Sequence, residues 1–185
     1  MMTKPATEKE REESGLVTGL FKDPASAESA YRSLRLRGYS DSEINIMMSE
    51  DTKKHYLVRD PNSAVVGTKA AEGAGIGGAV GGTLGAILGA AAGIGTNFIL
   101  PGLGIVIWGP IAAALAGAGA GGLTGGLVGA LAGWGIPEER ARLYEKGIKE
   151  GGTVIGVRPK TAEDATYFEN EWAGNYDGEH IYRHV

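Results

Sequence analysis

Residues 15–49 read GLVTGLFKDPASAESAYRSLRLRGYSDSEINIMMS. The first seven, GLVTGLF, are rich in β-branched and large apolar residues and predict a strand. Asp23 then offers an N-cap, and Pro24 suits the first helical position. Ala27, Ala30, Tyr31 and Leu34 mark one face of the helix that follows. Gly38 can adopt the left-handed conformation that ends it. In EINIMMS, Ile44, Ile46 and Met48 alternate onto one side of a second strand. The order is strand, helix, strand.

The C-terminal end repeats that order. Residues 152–159, GTVIGVRP, predict a strand with Ile155 and Val157 on one face. Thr161 and Asp164 resemble a capping box in which Asp replaces the usual Glu or Gln. Ala165, Phe168 and Trp172 form the helix stripe, Gly174 can end it, and HIYRHV predicts a last strand. Gly15, Val17 and Gly19 superimpose on Gly152, Val154 and Gly156. Two such halves predict an α+β domain of ferredoxin-like βαβ–βαβ form, four antiparallel strands with two helices on one face. Such a fold by itself implies no activity.

Between the halves the composition changes. The chain has 185 residues and a formal net charge of −4, yet no Asp, Glu, Lys, Arg or His occurs from Gly73 through Pro137. In the first part of this block the glycines Gly73, Gly77, Gly81, Gly85, Gly89 and Gly93 recur at every fourth position. Gly117, Gly121, Gly125, Gly129 and Gly133 do the same in the second. Positions four apart share one side of a helix. A glycine-lined side lets another helix approach to backbone contact. The spacing therefore predicts two zipper arms that form a helical hairpin and drive homo-oligomerisation.

Between the arms lies TNFILPGLGIVIWGP. Pro101 and Pro110 are unsuited to a helix interior, so this is the predicted turn. It is also the most apolar part, with Phe98, Ile99, Leu100, Ile105, Ile107 and Trp108 at the tip, which calls for lipid or a second copy. The first arm would be about 35 Å long as a helix, and a bilayer crossing takes about 20 residues. Lys69, Arg140, Arg142, Lys146 and Lys149 flank the block. This predicts an inner-membrane hairpin with both termini cytoplasmic, the alternative being a cytoplasmic assembly. Gly and Ala add little transfer free energy, which favours the alternative. The expected division is a disordered tail over 1–14, a first half-domain over 15–64, the zipper hairpin over 65–136, and a linking helix with the second half over 137–185. Within the first half, HYLV of residues 55–58 is read as a short edge strand.

No catalytic, cofactor or metal site is predicted. Gly73, Gly75 and Gly78 match the dinucleotide fingerprint, as do Gly117, Gly119 and Gly122, but neither is followed by the required acidic residue. His180 and His184 share a strand face with Tyr182 and are read as exposed strand residues. With no cysteine there is neither a disulfide framework nor a thiolate site. The net charge argues against a nucleic-acid partner held by general electrostatics.

The stretch VTGLFKDPASAESAYRSLRLRGYSDSEINIM resembles the general stress protein 17M-like domain of bacteria. The glycine-rich insert followed by GIPEERARLYEKGIKEGGTVIGVRP resembles the members of that group that carry a hydrophobic insert. The resemblance covers roughly residues 15–48 and 65–158. It implies a stress-associated bacterial protein with no catalytic residues to carry over, and together with the zipper spacing the expectation is a non-enzymatic structural protein. A small-ligand or sensor role for the sheet domain stands as a further alternative.

Overall fold

The computed structural model describes residues 15–59, 97–100, 102–118 and 125–184. Over these it is α+β. Strand β1 (Leu16–Phe21) leads to α1 (Pro24–Leu36), a 3-10 turn (Asp41–Glu43), β2 (Ile44–Ser49) and α2 (Glu50–Arg59). Next come β3 (Asn97–Leu100), β4 (Ile105–Trp108), α3 (Pro110–Ala118) and α4 (Gly126–Ala132). The C-terminal part is α5 (Glu138–Lys149), β5 (Thr153–Val157), α6 (Ala162–Gly174) and β6 (Glu179–His184).

Local chemistry accounts for the helix starts. The Asp23 carboxylate accepts the Ser26 N–H at 2.9 Å, with Pro24 opening α1. The Thr161 hydroxyl accepts the Asp164 N–H at 3.0 Å. The return half of the predicted capping box is replaced, because the Asp164 carboxylate turns to Arg37 and Tyr39 of the other half. Residues 55–58, expected as an edge strand, lie within α2. There Ser49 accepts the Thr52 N–H at 3.1 Å, and Thr52 and Tyr56 are buried one turn apart.

The six strands form one antiparallel sheet in the order β3-β4-β2-β5-β1-β6. The offset that superimposes Val17 on Val154 also superimposes Leu20 on Val157. The ladder pairs Val17 with Val157 and Leu20 with Val154, the crossed pairing that a two-fold relation between the halves produces.

Both faces of the sheet are covered. On one, Val17, Phe21, Ile46, Ile155 and Val157 pack under Ala27, Tyr31 and Leu34 of α1 and Ala165, Phe168 and Trp172 of α6. On the other, Leu16, Leu20, Met47 and Val154 pack under Ile111 and Leu115 of α3, Leu127 and Leu131 of α4, and Ala141, Tyr144 and Ile148 of α5. This corrects the expectation of helices on one face. The charge-free block supplies part of the second layer, which is why β1, β4 and β5 are buried along their whole lengths. Strands covered on both sides read as continuous apolar runs.

The segment expected as the exposed turn of a helical hairpin is a second correction. Phe98, Ile99 and Leu100 lie on β3 and Ile105, Ile107 and Trp108 on β4, and these two strands form a β-hairpin that extends the sheet beside β2. The β-branched run of β4 pairs Ile107 with Met47 and Trp108 with Ile46, and all four β4 residues are buried. Ile99, at the sheet edge, is 48% exposed. Pro110 opens α3 rather than breaking a helix.

Candidate functional site

Four glycines of the second predicted arm fall among the described residues. Gly117 lies near the end of α3, and Gly125, Gly129 and Gly133 lie on and around α4. All four are exposed. The opposite side of the same helices is buried, through Ile111, Leu115, Leu127, Ala130 and Leu131. The glycine row therefore faces away from the sheet. A Cβ added at Gly117 or Gly129 would meet nothing within 4 Å. Among the described residues these glycines contact no second glycine-lined helix. Gly73, Gly77, Gly81, Gly85, Gly89, Gly93 and Gly121 lie outside the described residues, as does Lys69.

A groove of about 820 Å³ runs along this row. Gly125, Val128, Gly129 and Ala132 form its apolar wall, and the polar side of α5 forms the other. Three of the cations expected to flank a membrane segment, Arg142, Lys146 and Lys149, belong to that polar side. Arg142 pairs with Glu138, Lys149 with Glu145, and Lys146 lies 3.9 Å from Glu150. These are i,i+4 pairs on the solvent side of α5, where water screens the attraction and each contributes little. Among the described residues no helix is long and apolar enough to cross a membrane.

A second cleft, about 830 Å³, opens where β2 meets α2, between Ser49, Thr52, His55 and Tyr56 on one side and Leu103, Lys149 and Glu150 on the other. Its hydroxyls are occupied. Ser49 and Thr52 bond each other at 2.8 Å, Thr52 donates to the Gly151 carbonyl at 3.1 Å, and Tyr56 meets Thr153 at 3.3 Å. Among the described residues no cluster of three metal-ligating side chains occurs.

Two polar clusters join elements distant in sequence. At the ends of α1 and α6, the Tyr39 hydroxyl donates to Asp164 at 2.6 Å and accepts the Lys160 N–H at 2.7 Å. Arg37 pairs with Asp164 and stacks 3.6 Å over Tyr167. Burial, together with the Asp164 carboxylate, raises the Tyr39 phenol well above its ordinary range. Burial alone would raise the Glu43 carboxyl, but the Ser40 hydrogen bonds and Lys160 outweigh it and hold the group below its ordinary value. Beneath α5, Tyr144 bonds Thr18 at 2.8 Å and donates to the His180 carbonyl at 2.7 Å, and burial pushes its phenol up to about 12.

Sequence reasoning missed Asn45 and Tyr144 as polar keystones. A signal for Asn45 existed, a lone amide inside the apolar run INIMM. Nothing in the sequence pointed to its partner, the Ile111 N–H, which the Asn45 side-chain oxygen accepts at 2.8 Å.

The chain matches no protein-family model, no curated protein and no solved structure.

Proposed function

We propose that this chain is a non-enzymatic structural protein that self-associates through the glycine face of its insert. The observation that carries the reading is the orientation of α4. Leu127, Ala130 and Leu131 are buried, while Gly125 and Gly129 are exposed. A face without side chains admits a second helix to backbone contact, and a second copy presents the same face.

The finer fold reading, a ferredoxin-like frame, is supported by the order β2-β5-β1-β6 and by α1 and α6 on one face. The β3–β4 hairpin and the α3–α5 layer are then additions to that frame. The stress-associated role rests on the resemblance to general stress protein 17M-like domains.

The self-associating reading is favoured over membrane spanning by a geometric argument. Strands from residues 15–59 and from 97–184 share one sheet, so both lie on one side of any bilayer. Helices α3 and α4 are spent on that sheet. A crossing and return would have to fit within residues 60–96, which is shorter than two crossings of about 20 residues plus a turn.

The test is the pair Gly117→Leu with Gly129→Leu, at positions where the monomer has room. Light scattering should show the wild type as a multimer of the 19.1 kDa chain and the double variant as single chains with an unchanged helical signal. A wild type that stays monomeric at about 100 μM, roughly the range of weak specific contacts, overturns the proposal. So does a variant whose mass is unchanged.

A further inference from the structure

The end of β5, the end of β6 and the loop between α4 and α5 meet at one rim of the molecule. Two arginines there have no carboxylate partner among the described residues. The Arg158 guanidinium sits 4.7 Å over the Trp134 ring, and that of Arg140 sits 5.6 Å over the Tyr182 ring. Elsewhere Arg35, Arg37, Arg142 and Arg183 are each paired with an Asp or Glu, and Arg32 is exposed to solvent on α1 with no ring beside it among the described residues.

His184 links the two stacks. It pairs with Leu16 on β1, and β1 pairs Val17 with Val157 on its other side. Arg158 follows Val157, so Arg158 and His184 come from the two strands that flank the start of β1. Gly135 has φ +80, and a Cβ there would lie 2.6 Å from His184 Nε2. The imidazole therefore rests on the loop that carries Trp134. Tyr182 and His184 stand two apart on one strand, which places the Arg140 stack next in line.

We propose that this rim is an anion site that takes a phosphate group, with Arg140 and Arg158 donating from two sides and His184 between them. A guanidinium stacked on a ring keeps its plane fixed and leaves its N–H edges free. One guanidinium can occupy both oxygens of a carboxylate, whereas a phosphate has oxygens for two. The chain carries a net charge of −4, yet these two guanidinium groups stand at one rim without a carboxylate partner among the described residues. The same chemistry serves a free phosphate compound or a phospholipid headgroup.

Trp134 is half-buried, whereas Trp108 and Trp172 are buried, so Trp134 fluorescence can report on the site. The full chain is titrated with pyrophosphate, and separately mixed with vesicles of phosphatidylglycerol or of phosphatidylcholine. Saturable quenching by pyrophosphate is expected, weakened about tenfold or more in Arg158→Gln and in Arg140→Gln. Arg158→Lys keeps the charge but loses the fork, and should fall between. A headgroup source adds sedimentation with phosphatidylglycerol vesicles alone, and a free-phosphate source leaves both vesicle types unbound. Far-UV circular dichroism and the urea midpoint check that the variants are folded. No saturable response to pyrophosphate overturns the proposal. So does a response that the double glutamine variant keeps.

Discussion

The side-chain carbonyl of Asn45, in the middle of β2, accepts the backbone N–H of Ile111 in the first turn of α3 at 2.8 Å. Both residues are buried. A helix start leaves its first N–H groups without intrahelical partners, and burial makes that costly. Here the cap comes from a strand far away in sequence, and it sets α3 onto the second face of the sheet.

Asn45→Ala should remove that cap and leave the Ile111 N–H buried and unpaired. The expected cost is about 1–3 kcal/mol, measured as a lower urea midpoint with an unchanged slope. A midpoint equal to wild type would mean that water or a backbone shift replaces the amide.

Gly109→Ala should be worse. Gly109 has φ +95, and a Cβ there would lie 2.2 Å from the Ile44 carbonyl oxygen. The clash is with backbone of a central strand, which cannot step aside. A loss of roughly 2–4 kcal/mol is expected, seen as a fall in thermal midpoint or in soluble yield. Gly102→Ala is the control, because its φ is also positive at +81 but a Cβ there meets nothing within 4 Å. It should cost about 1 kcal/mol.

Gly129→Ala should stabilise the dilute monomer. The position is helical, exposed and without a neighbour for the added methyl. Alanine gains about 0.5–1 kcal/mol over glycine in such a place. Gly126→Ala, at φ +58 and 3.3 Å from a Leu103 methyl, should destabilise. Chemical denaturation at low concentration separates the two. A destabilised Gly129→Ala would mean that the glycine face is already occupied within one chain.

Stability should decline above pH 10. The Tyr144 phenol is pushed up to about 12 in the fold, against an ordinary value near 10. Between those values the unfolded chain gives up the proton and the folded one retains it. The stabilisation is therefore complete below pH 10 and is lost as pH rises toward 12, by about 2–3 kcal/mol from this residue. Tyr31 and Tyr39 are raised as well and act in the same direction. In urea melts across this window Tyr144→Phe should show a shallower decline. An identical decline would assign the whole effect to the other tyrosines.

Much of the frame can be read locally. Asp23-Pro24 and Thr161 start α1 and α6 by short-range capping, and the alternation of Ile44, Ile46 and Met48 marks the face that α1 and α6 cover. Such signals act within one or two turns, so the chain carries them without help from elsewhere. The candidate anion rim could not be read this way. Trp134, Arg140, Arg158, Tyr182 and His184 are scattered in sequence and meet only because β1 lies between β5 and β6.

An α+β chain with two strand–helix–strand halves, a charge-free insert and glycines at every fourth place is legible from the residues alone. What the insert does, over the residues described, follows from its packing. The run from Ile105 to Trp108 is apolar at every position, so it fits lipid, an oligomer or a doubly covered strand equally well. Pairing with β2 selects the strand, because it satisfies the backbone groups of β4 while α3 buries one of its faces. The glycine spacing likewise defines a smooth side but not its direction. Leu127, Ala130 and Leu131 gain more by burial against the sheet than glycine can, and so they turn that side outward.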